Sequence, residues 1–328
     1  MTFETHALPA AAAPGPLFTE ADPWSAAELD LDAYLARTGL AGDLPPTAPT
    51  LRAVQRAHLA AIPFENVELV LERPLPLDVP ALVDKMVRRR RGGYCYEQNL
   101  LLAAVLSRLG FSVTGLAARV LVGAQGHLRP ATHALLRVET EQGPHLADVG
   151  FGGGGLLEPI PFEDGRQEVQ GGWGVRLDRA PGLGGPEWLL RSFTDGEWEP
   201  QYAFTTAGQA RADYAIFSHY LASHPRSPFR GRLTAQRIGP GVRHRLADAT
   251  LVTDRTDGTA ERRELAAEEV PGVLDGVFGI GLDAREQELV GRGLSAFPSV
   301  CSVPLPRGAG VPPPAGKGEV IGDVVMRR

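Results

Sequence analysis

The hydrophobic period of this chain changes between Gly110 and Phe111, and that change limits the folds open to it. Before it, "SAAELDLDAYLARTGL", "TAPTLRAVQRAHLAAI" and "CYEQNLLLAAVLSRLG" carry apolar residues three and four apart, the spacing of amphipathic helices. Gly110 suits the position just past a helix C-terminus, where left-handed backbone is wanted. After it, "FSVTGLAARVLV", "THALLRVET" and "HLADVGF" are short β-rich runs separated by turn residues, as in an antiparallel sheet or small barrel, and "EWLLRSF" continues them. "ATLVTDRTDGTAERREL" predicts a hairpin around Asp257-Gly258. Helical spacing returns in "EVPGVLDGVFGIGLDAREQELVGRGL". Residues 1–22, rich in Ala and Pro, read as a loose arm, and the Pro/Gly-rich stretch 304–328 as a tail.

Bulk properties exclude several classes of function. A formal net charge of −6 and a pI near 5.8 leave no general basic face for nucleic acid. "MTFETHALPAAAAPGPLF" has no basic leading segment, and prolines break its apolar stretch, so neither a signal peptide nor a membrane span is expected. The two cysteines, Cys95 and Cys301, are too far apart to suggest a disulfide framework, and the expected location is the reducing cytoplasm. No His/Cys cluster has metal-ligand spacing, so no metal is expected.

Cys95 falls just after a glycine pair, in "RRRRGGYCYEQN", where the third helical pattern begins. One reading makes it a small buried residue, since lone cysteines are usually buried. The other makes it reactive: the first turn of a helix offers unpaired N–H groups and the positive end of the dipole, and both favour a thiolate. Gly92 and Gly93 would let the chain turn sharply and let a substrate approach. A base is also available. His133 lies in the apolar run "ATHALLRVET", and Asp148 follows in "PHLADVGFGG". Adjacent strands joined by "ETEQGPH" would set the two side by side, so that the aspartate fixes the imidazole tautomer and turns the other nitrogen toward the thiol. Each residue alone could be a hydrogen-bonded structural group; the ordered trio beside a glycine-flanked helix start favours chemistry.

Four blocks, "IPFENVEL" (62–69), "RGGYCYEQN" (91–99), "THALL…HLADVGFGG" (132–153) and "SHPRSPF" (223–229), together resemble the arylamine N-acetyltransferase family. The resemblance runs from about residue 25 to 290. It implies an α+β fold with a cysteine-protease-like Cys-His-Asp core: an N-terminal helical bundle (23–110), a central antiparallel β-barrel-like domain (111–215) and a C-terminal α/β lid (216–303). It also implies a triad of Cys95, His133 and Asp148, and ping-pong transfer from acetyl-CoA through a cysteine thioester to an aromatic amine or hydrazine. By motif, Phe64, Phe151 and Phe229 would line the acceptor pocket, and Gly150 and Ser227 would lie near the CoA arm. The glycine run 152–155 is richer than the family pattern leads one to expect.

Other motifs carry less. Gly150, Gly152 and Gly155 satisfy the dinucleotide fingerprint in form, but Pro159 and Pro161 stand where its helix should run. The glycines could still let a pyrophosphate approach backbone amides. Arg88 to Arg91 read as a solvated helix end, with Arg91 excepted because the family motif includes it. Cys301 reads as a buried strand residue. Two alternatives to arylamine acetylation share the Cys…His…Asp order. One is an amide synthase that closes a polyketide macrolactam, as in ansamycin pathways, from an acyl carrier protein; the other is a hydrolase or transglutaminase-like enzyme.

Overall fold

The computed structural model describes residues 20–296; most of the arm, the tail and Cys301 lie outside them. The first part is mainly helical: α1 (Leu31–Thr38), α2 (Ala48–Ala61), α3 (Val67–Val70), α4 (Val79–Leu82) with a π-helical turn over Val83–Arg88, and α5 (Cys95–Arg108). Asp30 caps α1 by accepting the Ala33 N–H at 3.1 Å. Gly110, at φ +90°, follows α5 as its spacing predicts. Every residue of α5 from Cys95 to Leu106 is buried, so this helix forms the centre of the molecule rather than a surface layer.

Eight strands follow as antiparallel neighbours: β2 (Ser112–Val120), β3 (His133–Thr140), β4 (Gly143–Ala147), β5 (Ile160–Pro161), β6 (Arg166–Gln170), β7 (Trp173–Gly182), β8 (Gly185–Thr194) and β9 (Glu197–Phe204). Their order, β5-β4-β3-β2-β9-β8-β7-β6, gives a nearly closed barrel. Leu116, Leu135, Leu146, Val175, Leu190 and Tyr202 meet in its core. On β3, Leu135 joins that core while Ala134, Leu136 and Val138 pack with the cluster around α5. Strand alternation thus lets one strand touch both halves of the protein.

Beyond α6 (Arg211–Ser223) come β10 (Thr234–Gly239), β11 (Val242–Ala247), β12 (Thr250–Arg255) and β13 (Ala260–Glu264), the last two joined as predicted through Asp257-Gly258. Two features differ from the sequence reading. The first third is not purely helical: β1 (Phe64–Glu65) pairs with β10 as the edge of a five-stranded sheet, Phe64 opposite Gln236. Two residues are too few to show a strand period. The final helical stretch is broken into α7 (Val270–Val273), a π-helical turn to Phe278 and α8 (Ala284–Ala296), with Gly279 at φ +74° ending the turn. Among the described residues no helix is long and apolar enough to cross a membrane.

Candidate active site

The start of α5 is held rigidly. The Tyr94 N–H donates to Glu97 Oε2 at 3.1 Å, and the other Glu97 oxygen takes Lys85 Nζ at 2.7 Å, both partners being buried. Arg91, 3% exposed, sits among Glu65, Glu68 and Glu286. Arg88 and Arg89 reach outward to Asp30 and Asp84, so the arginine run divides as its motif suggested. The glycine pair plays a different part from the one expected. Neither Gly92 nor Gly93 has a positive φ, and a Cβ on Gly92 would lie 2.1 Å from Pro63 O. Gly92 makes room for the chain's own Pro63–Glu65 segment and Gly93 for the Glu97 and Met86 side chains.

Cys95 is the first residue of α5, 4% exposed, with Sγ 3.8 Å from Thr132 O. Its neighbour Tyr96 donates to the same carbonyl at 2.7 Å and so fixes the chain entering β3. His133 opens β3, and its Nε2 lies 2.7 Å from Asp148 Oδ2. The remaining ring nitrogen is the one left for Cys95, whose sulfur is close enough to act on the charge of the imidazole. Burial disfavours the imidazolium, but the Asp148 carboxylate, its hydrogen bond and Cys95 outweigh it and lift His133 from 6.5 to about 10. Burial likewise opposes the Asp148 charge, and His133, Asn99 and the Gly150 N–H overcome it, holding the carboxyl below its usual range. The site therefore holds the imidazole between the Asp148 carboxylate and the Cys95 sulfur.

Asp148 stands one residue past the end of β4 rather than within a strand. Its N–H goes to Gln55 Oε1 of α2 at 3.3 Å, and the Val149 N–H to Asn99 Oδ1 of α5 at 3.1 Å. Side chains from two helices replace the sheet partners, which satisfies the backbone while freeing the chain to bend over the cysteine. Asp148 Oδ1 accepts from Asn99 Nδ2 at 3.0 Å and from the Gly150 N–H at 2.8 Å.

The three phenylalanines form two groups. Phe64 and Phe229 have ring centroids 6.1 Å apart, and Phe229 also meets Tyr94 edge-on at 6.2 Å. Phe151 packs on His133 and Tyr202, at 5.1 and 4.9 Å. One group thus borders the residue before the cysteine and the other borders the imidazole. Ser227 Oγ is engaged locally, donating to Leu221 O in the last turn of α6 and accepting the Phe229 N–H at 3.3 Å. The run Gly152–Gly155 opens no helix; it folds as a turn, Gly155 N–H to Gly152 O at 2.9 Å, covered by Gln236 and Arg245. A groove of about 870 Å³ between α2 and β10–β11 is lined by Arg52, Arg56, Ile238 and His244, and none of Cys95, His133 or Asp148 borders it. Among the described residues no His/Cys/Asp/Glu group could hold a metal ion.

A family model described as N-acetyltransferase matches residues 47–287. An arylamine N-acetyltransferase of Mycolicibacterium smegmatis is 39% identical over 273 residues, covering 82% of this chain and 96% of that protein. The crystal structure of the Nocardia farcinica arylamine N-acetyltransferase superposes with a TM-score of 0.79 at 46% identity, covering 84% of this chain and all of that one. The chain belongs to the arylamine N-acetyltransferase family. A further arylamine N-acetyltransferase, from Mycobacterium marinum and solved in complex with CoA, matches with a TM-score of 0.75 at 35% identity, covering 80% of this chain and 99% of that one.

Around the candidate site of this arylamine N-acetyltransferase stand residues to which sequence reasoning gave no role. Asn99 stands within the cysteine motif, and its position four residues after Cys95 puts it on the same helix face. Tyr202 comes from β9, and burial together with the nearby Asp148 charge keeps its phenol well above the usual tyrosine range. Nothing local to Gln55 or Tyr202 marks them, because barrel closure and helix packing bring them in.

Proposed function

We propose that the chain transfers the acetyl group of acetyl-CoA, through a thioester on Cys95, to the nitrogen of an arylamine or arylhydrazine. The observation that carries this reading is the pairing of His133 with Asp148 at 2.7 Å beside a cysteine that stands at a helix N-terminus and acts on the charge of the same imidazole. The thiolate attacks the acetyl carbonyl and the carbon–sulfur bond to CoA breaks. His133 gives its proton to the departing CoA sulfur and becomes neutral. The arylamine nitrogen then attacks the Cys95 thioester, neutral His133 takes the nitrogen's proton, and the thiolate leaves, restoring the starting pair. Each tetrahedral intermediate places negative charge on oxygen, and the Cys95 N–H at the helix start is a suitable donor to it.

Phe64, Phe151 and Phe229 would supply flat apolar walls for the aromatic acceptor, and Gly150 and Ser227 would border the CoA arm. The test is mass spectrometry after mixing with acetyl-CoA. An acetyl adduct on Cys95, discharged by an arylamine and not by water, is expected. It should be absent from Cys95→Ser and retained by Cys301→Ser, because an alcohol is far harder to ionise than a thiol. Loading only from a carrier-bound acyl chain would replace this reading with the amide synthase, and discharge by water with the hydrolase.

A further inference from the structure

We infer that Asn99 is a positioning residue for this reaction, acting through Asp148, whose carboxylate it aims at His133. The inference rests on the chemistry proposed for Cys95. Asn99 is 1% exposed and sits one helical turn after Cys95. Its amide nitrogen donates to Ala134 O at 2.7 Å, the carbonyl directly after His133, and to Asp148 Oδ1 at 3.0 Å. Its amide oxygen accepts the Val149 N–H at 3.1 Å. One side chain on the nucleophile's helix therefore touches the segments that carry both other members of the triad.

The amide suits the place on chemical grounds. An asparagine offers two N–H donors and one carbonyl acceptor, and this site uses both kinds. Asp148 must present Oδ2 to His133 while its Oδ1 is turned away and satisfied, and Asn99 and the Gly150 N–H do that. Burial raises the stakes, since a carboxylate in a dry site relies on each donor it keeps. Replacing Asn99 by aspartate would bring a second carboxylate within 3.0 Å of the first, and two such groups share a proton instead of both ionising.

The experiment compares Asn99→Ala, Asn99→Asp, Asp148→Asn and the Asn99→Ala/Asp148→Asn double variant. Each is assayed for CoA release during loading of Cys95, KM for acetyl-CoA, pH dependence and melting temperature. Asn99→Ala should slow loading by about tenfold or more, the effect of one lost charge-assisted hydrogen bond, with KM changed less than about twofold. The double variant should be no slower than Asp148→Asn by more than about twofold, because Asn99 acts through that carboxylate. Asn99→Asp should regain activity as pH falls, when its added carboxyl is protonated and can donate. Unchanged loading by folded Asn99→Ala, or losses that multiply in the double variant, would overturn the inference. Should Asn99→Ala fail to fold, a flat pH response in Asn99→Asp would overturn it equally. If Asp148→Asn itself loads normally, the triad reading has failed and the role of Asn99 falls with it.

Discussion

Gly150 packs against the backbone of Cys95 so closely that a Cβ on it would lie 2.6 Å from Cys95 Cα and 3.0 Å from Cys95 O. Backbone at a helix start cannot swing aside as a side-chain tip can. A Gly150→Ala change must therefore push the Asp148–Phe151 loop away from Cys95. Expected outcomes are a loss of about 1–3 kcal/mol in stability, typical of overpacking, and slower loading of Cys95 by acetyl-CoA. Thermal melts and CoA release measure the two; wild-type values for both would show that the loop yields freely.

Asp148→Asn keeps the size of the side chain but offers N–H where an acceptor is needed. His133 then loses the carboxylate that sits 2.7 Å from Nε2 and takes the other tautomer more readily. In the serine-protease triad such a swap lowers turnover by about 10⁴-fold. Turnover here should fall by at least ~10²-fold, with alkylation of Cys95 by iodoacetamide slowed in parallel. A near-normal rate would make this carboxylate merely structural.

Because His133 is lifted to about 10, it carries its proton throughout neutral pH in the free enzyme. That proton is the one CoA needs on leaving. Loading should stay level through neutral pH and decline as pH rises through about 10, while alkylation of Cys95, which needs no proton donor, should not decline with it. The same elevation above 6.5 stabilises the fold fully below that pH and is lost toward about 10. Loading and alkylation that decline together would remove the acid role from His133.

His58 has the opposite sign. Burial between Tyr34 and Gln98, each 3.0 Å from a ring nitrogen, lowers it to about 4 despite the Gln98 hydrogen bond. Between pH 6.5 and about 4 the unfolded chain binds a proton that the folded chain refuses, so stability falls as pH falls through that window. The loss amounts to a few kcal/mol, at about 1.4 kcal/mol per pH unit. Urea melts at several pH values should show a shallower slope in His58→Asn than in the unchanged protein. Equal slopes would place the acid sensitivity elsewhere.

Phe229 packs on Phe64 and on Tyr94, the residue before Cys95. Phe229→Ala should slow discharge of the acetylated enzyme by an arylamine by roughly 10- to 100-fold, the effect of losing a buried aromatic contact. Loading by acetyl-CoA should change much less. Following CoA release and arylamine consumption separately decides it. Equal slowing of both would mean that the ring supports the fold or the donor site.

The sequence by itself determined much of the local structure and marked the candidate reacting groups. Apolar spacing marked α1, α2 and α5, Gly110 marked the end of α5, and Asp257-Gly258 marked the last hairpin. These signals are local, set by helix and strand periods and by glycine's tolerance of positive φ. The cysteine, histidine and aspartate were legible because each stands in a short motif with its own chemistry. Tertiary structure alone decided what surrounds them. Gln55 from α2 and Tyr202 from β9 reach Asp148 and His133 only because the barrel closes against α5. The two-residue strand β1 exists only because β10 runs beside it. Gly92, which the sequence offered for a sharp turn and the approach of a substrate, is small because Pro63 passes within contact of it. Contacts between segments far apart in the chain depend on packing and register, which no local period encodes, and those contacts tune the imidazole and aim the carboxylate.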